Sequence, residues 1–394
     1  MRDELKRIGI LEYHYHSIFY YTLARICKTK HTQVTLFTTQ KIFSLISPHL
    51  ANKKDYRIVL QRDNESLASF LHRVETICNT DIDLLFINTI QESLKDLPHY
   101  VRFHPSCKMI LTIHDANTWL NQKKTTIDIT RPFATLDTLM STLLINKIIL
   151  KKFDAINVIY PPIKDYILKN TNYEKEIFTL PFTFFDEEKY QIPTNLPKKI
   201  RFVVPGAIIE SRRDHTAVME AFEHLFESYP KAFSLCLLGK PIGSYGKQIL
   251  KRATQLKQQN YDIHFFSEFV PEETYDKIFR EATVVITPFK LETRSLGVMK
   301  ETFGKTKASG VLFDAIQYAK PIILPYNHSI MNELSSSTLI YKDAEDLQNL
   351  LSTLLSDKKR LQILVKKAIH NSRYFSLSNM HRYFEQKVLP AFKP

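Results

Sequence analysis

The sequence of 394 residues is poor in the residues that mark several common protein classes. It has 8 Gly and 18 Pro, too few for collagen-like or long flexible tracts. Its four cysteines, Cys27, Cys78, Cys107 and Cys236, show no CxxC spacing. They therefore indicate buried free thiols rather than a zinc site or a redox motif, and we predict no metal site. No apolar run approaches the roughly 18–20 residues that a membrane-spanning helix needs.

The first residues have neither the apolar core nor the cleavage site of a signal peptide, so we expect a cytoplasmic protein, placed at the inner face of the membrane if it binds lipid. Lys and Arg outnumber Asp and Glu by 54 to 41, which gives a net charge of +13. This surplus favours anionic partners such as nucleotide phosphates, nucleic acid or acidic lipids, or it is a solvated surface without a specific partner. We expect no nucleic acid, because the sequence carries no helix-turn-helix or RNA-recognition signature.

Short apolar runs recur at helix-sized intervals in both halves of the chain. Because the runs are near-continuous rather than alternating, they predict strands buried on both faces of parallel sheets. The predicted strands are Ile8–Glu12, Gln33–Thr38, Tyr56–Gln61, Leu84–Asn88, Lys108–His114, Ala155–Tyr160 and Phe178–Pro181, followed by Arg201–Pro205, Ser234–Leu238, Ile263–Phe266, Thr283–Thr287, Pro321–Pro325 and Thr338–Tyr341.

The strand–helix alternation restarts after a polar stretch with two prolines, Pro193–Lys199. We therefore predict an α/β protein with two Rossmann-like, doubly wound domains, 1–195 and 196–370, that face a cleft. Residues 371–394 form a helical segment with an apolar face, which either caps the second domain or crosses back to the first. Ligands of such sheets bind at the carboxyl ends of the strands, which here means the cleft.

Cationic residues follow the first strand of the second domain. Arg212 and Arg213 stand just before a helix whose N-cap we predict to be Asp214. Guanidinium groups beside a helix N-terminus suit a diphosphate, because charge, forked donors and free amides converge there. Taken alone, two adjacent arginines are also common as solvated surface charge.

A long polar loop of roughly 20 residues follows the strand that ends at Thr287, and long loops in α/β units are often functional. The loop leads through Lys307, Ser309 and Gly310 into a helix. We expect Ser309 to cap this helix, its first amides to face an anion, and Lys307 to add a positive charge. Asp314, one turn further on, can accept hydrogen bonds from two ribose hydroxyls.

The segment Phe313–Ile323, FDAIQYAKPII, resembles the donor-binding signature of retaining GT-B glycosyltransferases, especially the family 4 group. The resemblance places Asp314 at the family's second Glu, the ribose ligand. Thr306 stands at the spacing of the first Glu, which contacts the donor sugar. Glu292 fits the spacing after the preceding Thr-Pro, and Glu301 is a further candidate, so which Glu, if any, contacts the donor sugar stays open.

The resemblance extends to two turns of the second domain and, more weakly, to the first domain. Gly206 and Gly239 match glycine turns of the donor site. His114 and Asp115 stand where the family often carries His-Asp near the reaction centre, which implies that His114 contacts the sugar and Asp115 orients it. The candidate catalytic residues are therefore His114, Asp115 and Glu292. His14 and His16 replace a glycine-rich acceptor loop, and they either shape the acceptor pocket or only pack.

The resemblance implies an enzyme that transfers a sugar from a nucleotide-diphosphate sugar to an acceptor hydroxyl with retention, as a metal-independent, hexosyltransferase-type glycosyltransferase. No cofactor is expected, because the nucleotide sugar is a substrate. A glycan or lipid-linked acceptor, in glycan or surface-polysaccharide synthesis, fits this reading. The alternatives are a GT-B-like sugar-nucleotide epimerase and a non-catalytic basic binding scaffold.

One segment of the first domain suggests a membrane partner. The stretch Thr135–Phe153 is apolar and ends in Lys151 and Lys152. Basic amphipathic helices of this kind lie on anionic membranes. The alternative is a helix packed in the core of the first domain.

Overall fold

The computed structural model describes residues 5–50, 52–120, 132–189, 195–295 and 299–392. Its first half forms a seven-stranded parallel sheet in the order β3-β2-β1-β4-β5-β6-β7. The strands are β1 (Lys6–Glu12), β2 (Thr32–Thr38), β3 (Tyr56–Leu60), β4 (Leu84–Ile87), β5 (Lys108–Ile113), β6 (Ala155–Val158) and β7 (Glu176–Phe178).

The second half forms a six-stranded parallel sheet in the order β10-β9-β8-β11-β14-β15. Its strands are β8 (Ile200–Pro205), β9 (Phe233–Leu238), β10 (Ile263–Phe265), β11 (Val284–Ile286), β14 (Ile322–Pro325) and β15 (Thr338–Tyr341). In β4, β6, β9 and β11 every residue is buried, as expected for strands covered on both faces. The predicted α/β fold with two Rossmann-like sheets is confirmed.

Helices separate the strands in both domains. In the first domain they are α1 (Ser17–Cys27), α2 (Gln40–Ile46), α3 (Leu67–Asp81), α4 (Leu97–Arg102), α5 (Ala116–Leu120), α6 (Pro132–Leu144), α7 (Leu150–Lys152) and α8 (Pro161–Asn170). From residue 215 they are α9 (His215–Ser228), α10 (Gly243–Gln258), α11 (Glu272–Glu281), α12 (Gly310–Gln317), α13 (Ala344–Ser356), α14 (Lys358–Ser372) and α15 (Leu377–Tyr383). Among the described residues, no helix is both long and apolar enough to cross a membrane.

The long loop before α12 contains regular structure that the sequence analysis does not predict. It forms an antiparallel hairpin of β12 (Glu292–Ser295) and β13 (Met299–Thr302). Met299 and Glu301 are buried while Lys300 is exposed, which is the period-two pattern of a strand. Because polar residues dominate both strands, the apolar signal that marks the other strands is absent.

The C-terminal segment packs against the first domain. The ring Nε2 of His381 lies 2.9 Å from the carbonyl oxygen of Arg25. The Thr179 amide donates to the Tyr383 hydroxyl at 3.2 Å, and Phe384 lies 6.3 Å from Phe86, centroid to centroid. The chain therefore leaves the first domain near residue 185 and returns to it at its end.

Candidate functional site

The loops that follow the carboxyl ends of the strands meet between the two domains. Asp115, after β5, forms an antiparallel bridge with Lys307, which precedes α12. Tyr160, after β6, donates its hydroxyl to the Ser329 carbonyl oxygen, after β14, at 2.8 Å. Phe182 stacks on Phe313 of α12 with centroids 5.4 Å apart. The carboxyl edges of both sheets therefore border one interdomain region, which is where ligands of this kind of sheet bind.

Arg213 lies in the loop that follows β8, at the carboxyl edge of the second sheet. Its Nη1 donates to the Ala207 carbonyl oxygen at 3.2 Å, and its guanidinium carbon lies 5.7 Å from the centroid of the Phe289 ring. Burial, together with the charge of Arg212, lowers the pKa of Arg213 to about 10. The side chain is therefore still a cation at neutral pH, whereas Arg212 is exposed.

Two glycines make room for this guanidinium. Gly206 has a φ of +94°, and a Cβ there would lie 2.4 Å from Nη2 of Arg213. A Cβ at Gly239 would lie 2.1 Å from the Gly206 carbonyl oxygen. Both turns therefore require glycine, for left-handed backbone at Gly206 and for close backbone approach at Gly239. Gly206, Gly239 and Arg213, all predicted from the sequence, lie together.

Asp314 faces α11 across the second domain. The Tyr275 hydroxyl donates to Asp314 Oδ2 at 2.7 Å. Burial raises the pKa of Asp314 to about 6, although the bond from Tyr275 opposes the rise.

The two predicted helix caps have different outcomes. Ser309 occupies the N-cap position of α12, but its hydroxyl makes no capping bond, so the predicted side-chain cap is wrong. The Asp214 cap is confirmed, since its carboxylate accepts from the Ala217 amide at 3.2 Å.

Lys307 and Asp115 form an ion pair across the domains. Lys307 Nζ lies 2.8 Å from Asp115 Oδ1, and both side chains are largely shielded from solvent. The backbone bridge places an ammonium group beside the Asp115 carboxylate, and the orientation of His114 by Asp115 stays a prediction. Lys307 lies between the domains as expected, but its charge is already matched by a carboxylate.

His16 and His114 form a stacked pair on the first domain's side, with ring centroids 4.0 Å apart. Nε2 of His114 lies 3.2 Å from the Asn88 carbonyl oxygen. Because that oxygen only accepts, Nε2 carries the proton and Nδ1 is the acceptor. Burial lowers the pKa of His114 to about 4, and burial with the charge of His114 lowers that of His16 to about 2. Both rings are therefore neutral near pH 7.

Glu12 organises the loop that carries His14 and His16. It closes β1, is fully buried, and accepts from the His14 amide at 2.6 Å and from the Thr89 hydroxyl at 2.8 Å. That hydroxyl lies 2.7 Å from His16 Nδ1. Since the Thr89 proton points to Glu12, His16 Nδ1 donates and its Nε2 is the acceptor. The sequence analysis missed Glu12, although a lone acidic residue at the end of an apolar strand indicates a buried carboxylate with a specific role.

Glu292 and Glu301 are the candidates for the donor-sugar contact, while Thr306 stands at the spacing of the family's first Glu, and the structure places the three residues differently. Glu301 is buried and accepts from the Thr118 amide at 3.0 Å and from its hydroxyl at 3.1 Å, at the start of α5. Burial and the charge of Asp115 raise the pKa of Glu301. Thr306 is buried and accepts from the Thr302 amide at 2.7 Å. Glu292 is exposed on β12, apart from the buried groups.

His328 is a further buried group that the sequence analysis missed. It follows β14, stacks on Phe289 with centroids 5.5 Å apart, and is 5% exposed. Burial lowers its pKa to about 4. Neither ring nitrogen has a hydrogen-bond partner among the described residues. A buried polar atom of this kind is costly unless a water or ligand meets it.

A wide depression of about 700 Å³ lies elsewhere, at the amino ends of β1 and β2. Its lining includes Leu5, Lys28, Gln33 and His381. Parallel sheets bind ligands at the opposite edge, where the loops described above meet. This depression is therefore not part of the candidate site.

The two facing parallel-sheet domains, with loops meeting at their carboxyl edges, define the GT-B fold. Solved structures bear this out. A glycosyltransferase from Rickettsia africae is 14% identical with a TM-score of 0.63, and the match covers 99% of this chain and 98% of that one. Sucrose-phosphate synthase from Thermosynechococcus elongatus is 14% identical with a TM-score of 0.57, over 98% and 99%.

Epimerases share this fold as well. UDP-GlcNAc 2-epimerase from Neisseria meningitidis, bound to UDP-GlcNAc, is 10% identical with a TM-score of 0.56, and the match covers 98% of this chain and 100% of that one. At these identities the likeness establishes the fold and not the activity. No protein-family model matches the sequence, and no curated protein matches it.

Proposed function

We propose that the protein is a glycosyltransferase that binds a nucleotide-diphosphate sugar against the second domain and transfers the sugar, with retention, to an acceptor hydroxyl. The observation that carries this proposal is the placement of Arg213. A shielded guanidinium that is charged at neutral pH lies against a left-handed glycine turn and one residue before the cap of α9. This combination of a shielded cation and a close backbone suits a diphosphate. The Thr216 and Ala217 amides of α9 are already bonded to Tyr245 and Asp214, so the guanidinium is the group of this loop that is available to a phosphate.

Other groups complete the proposed donor site. The first amides of α12, at Gly310 and Val311, have no acceptor one turn earlier in the helix and suit a phosphate oxygen. The Asp314 carboxylate suits the ribose hydroxyls, as the family resemblance implies. Arg213 provides the principal positive charge, because Lys307 is paired with Asp115. Gly206 leaves the space that the Arg213 guanidinium occupies, and Gly239 lets the Gly206 turn pack closely against it.

In the proposed reaction the bond between the anomeric carbon and the diphosphate oxygen breaks while the acceptor hydroxyl attacks from the same face. The departing phosphate takes the hydroxyl proton, so no protein nucleophile is needed. Arg213 and the α12 amides stabilise the charge that develops on the leaving group. The neutral His114 hydrogen-bonds a hydroxyl of the transferred hexose, and His14 and His16 border the acceptor.

We propose that this reaction is metal-independent, because protein groups supply the positive charge at the proposed diphosphate site. The chain does contain one Asp-x-Asp tripeptide, at Asp81 and Asp83. Both lie before β4, at the amino edge of the sheet. Asp81 lies 2.5 Å from an Arg57 nitrogen and Asp83 lies 2.7 Å from one of Arg7. These carboxylates are therefore at the wrong edge to hold a metal-bound donor.

The test is a thermal-shift screen with UDP-, GDP-, dTDP- and ADP-sugars, followed by calorimetry on the one that binds. Arg213→Ala is expected to weaken binding by about 10- to 100-fold, the loss typical of one charge-assisted contact. Arg212→Ala is the matched control, because it removes an adjacent but exposed charge and is expected to cost much less. If no nucleotide sugar raises the melting temperature, a non-catalytic scaffold replaces this proposal.

The second candidate function is a sugar-nucleotide epimerase. The observation that favours it is the pair of buried carboxyls Glu92 and Glu301, whose pKa values are raised by burial and by the charge of Asp115, that of Glu92 to about 7, since a carboxyl of this pKa can both donate and accept a proton at neutral pH. NMR of the nucleotide sugar incubated without acceptor separates the two functions. Accumulation of an epimer supports the second function, whereas an unchanged sugar that is transferred only when acceptor is added supports the first.

A further inference from the structure

Helix α6 exposes its apolar face to solvent and buries its polar face against the protein. Its large apolar side chains face solvent: Phe133 is 87% exposed, Leu136 is 59% exposed and Leu143 is 46% exposed, and Met140 is also exposed. Its small hydroxyl residues face the protein, and those buried in this way are Thr135, Thr138, Ser141 and Thr142. A helix that only packs on a soluble domain shows the opposite arrangement.

The exposed residues form one continuous stripe. Phe133, Leu136, Met140 and Leu143 follow the spacing of a single helix face, which extends over roughly 15 Å. A π-helical turn over Ile145–Ile149 follows directly and contributes the exposed Ile148. Soluble proteins rarely leave a contiguous apolar surface of this kind uncovered, so the stripe indicates a partner.

The chemistry of the stripe favours a lipid surface over a protein. Its residues are Phe, Leu, Met and Ile, without the Trp, Tyr and Arg that dominate protein-binding hot spots. The exposed Lys147 and Lys151 continue the segment, and the only acidic residue between 132 and 152 is Asp137. Apolar residues followed by lysines are typical of helices that lie in the interface of anionic membranes. The net charge of +13 complements the same surface.

The stripe is close to the acceptor side of the candidate site. The π-helical turn that continues α6 contacts α5. Helix α5 begins at Ala116, two residues after His114, at the carboxyl edge of the first sheet. A membrane bound by α6 therefore lies beside the loops that the proposed function assigns to the acceptor.

We propose that α6 lies flat on an anionic lipid bilayer, with its stripe among the acyl chains and its lysines at the headgroups, and that the enzyme there meets an acceptor carried by a lipid. The identity of the acceptor rests on the proposed function, whereas membrane binding does not. The bilayer supplies what the helix lacks in solution, an apolar medium for Phe133, Leu136, Met140 and Leu143.

The experiment is co-sedimentation of the full chain with vesicles of phosphatidylcholine mixed with phosphatidylglycerol, and with vesicles of phosphatidylcholine alone. The protein is expected to bind the anionic vesicles, and less well at high ionic strength. Leu136→Glu/Leu143→Glu is expected to lower binding at least ~10-fold, since two apolar side chains leave the interface. Phe269→Glu/Ile363→Glu is the matched control, because it places the same charges at exposed apolar positions of the second domain.

Several outcomes would overturn the proposal: no binding of the unaltered protein to anionic vesicles, equal binding of the α6 variant, or an equal loss in the control. Ultracentrifugation without lipid tests self-association, and a dimer that the α6 variant disperses would also overturn the proposal. The melting temperature of each variant shows that it folds, which is expected because all four positions are exposed. Thermal shift by nucleotide sugars in the same samples reports on the proposed function separately.

Discussion

Lys307 and Asp115 are joined twice, by a backbone bridge and by an ion pair of 2.8 Å between Nζ and Oδ1. The pair links the loop before α12 to the loop after β5, so it holds the two domains together at the candidate site. The carboxylates of Glu92 and Glu301 are close enough to Asp115 for its charge to raise their pKa values. Lys307 therefore places a positive charge beside three acidic side chains, those of Asp115, Glu92 and Glu301.

Lys307→Met is expected to destabilise the protein by about 1–3 kcal/mol, because it leaves a shielded carboxylate without its cation. The measurement is the melting temperature at pH 7.5. The double variant Lys307→Met/Asp115→Asn is expected to recover part of the loss, since it removes the uncompensated charge as well. If the double variant melts below both single variants, the ion pair is not the source of the effect.

Glu92→Gln is expected to raise stability at alkaline pH. Burial, with the charge of Asp115, raises the pKa of Glu92 to about 7 in the folded protein, above the ordinary 4.5. The folded state therefore holds this proton more tightly than the unfolded state, and stability falls as pH rises from 4.5 through 7. Glutamine keeps an acceptor for the Trp119 indole, whose bond to Glu92 Oε1 is 2.8 Å long.

The expected gain for this variant is about 1–3 kcal/mol at pH 8 and close to zero near pH 5. Melting temperatures of both proteins from pH 5 to about 8.5 check the prediction, in the range where carboxyls of raised pKa titrate. Glu223→Gln, which alters an ion pair with Arg252 on the surface of the second domain, is the control and is expected to show no such gain. Parallel curves for Glu92→Gln and the unaltered protein would contradict the assigned pKa.

His114→Ala is expected to lower kcat by about 10- to 100-fold with little change in donor affinity, because the ring is assigned to the reacting sugar and not to the diphosphate. Initial rates and donor calorimetry measure the two effects separately. His224→Ala, on an exposed face of α9, is the control and should leave both unchanged. A loss of donor affinity as large as the loss of kcat would place His114 in the donor site.

Gly239→Ala is expected to be strongly destabilising and to abolish donor binding. Its Cβ would meet the Gly206 carbonyl oxygen at 2.1 Å, so the turn that holds Arg213 would have to move. Gly310→Ala is the control for stability only, because no atom lies within 4 Å of the added Cβ and alanine favours the helix. Circular dichroism and melting temperature compare the two, and a stable Gly239→Ala that binds donor would contradict the described packing.

The sequence was sufficient to predict the strands of the two parallel sheets, but not the contacts between the two domains. Runs such as those of β4 and β11 are apolar throughout, so burial on both faces could be predicted from composition alone. The hairpin of β12 and β13 was missed because its strands are polar and, of the hairpin side chains that the structure describes, Met299 and Glu301 alone are buried. The distinction between Arg213 and Arg212 depends on the turn at Gly206, which the sequence does not specify.

The partners of Asp115 and Glu301 could not be predicted for a different reason. Each bonds to a residue more than 180 positions away in the other domain. Such pairs depend on how the two sheets are placed against each other, and one sequence carries no signal for that placement. The stacking of His16 on His114 depends in the same way on the register of β1, β4 and β5 within the first sheet.

Glu301, a residue of the second domain, caps the N-terminus of α5 in the first domain. The amides of Asn117 and Thr118, at the start of that helix, donate to its carboxylate. Those amides have no acceptor within their own helix. Any hinge motion that draws the domains apart must therefore leave the first turn of α5 without its acceptor, three residues from His114. The order of the turn beside His114 therefore depends on contact between the two domains, so that opening of the cleft is coupled to loosening of the loop that follows His114.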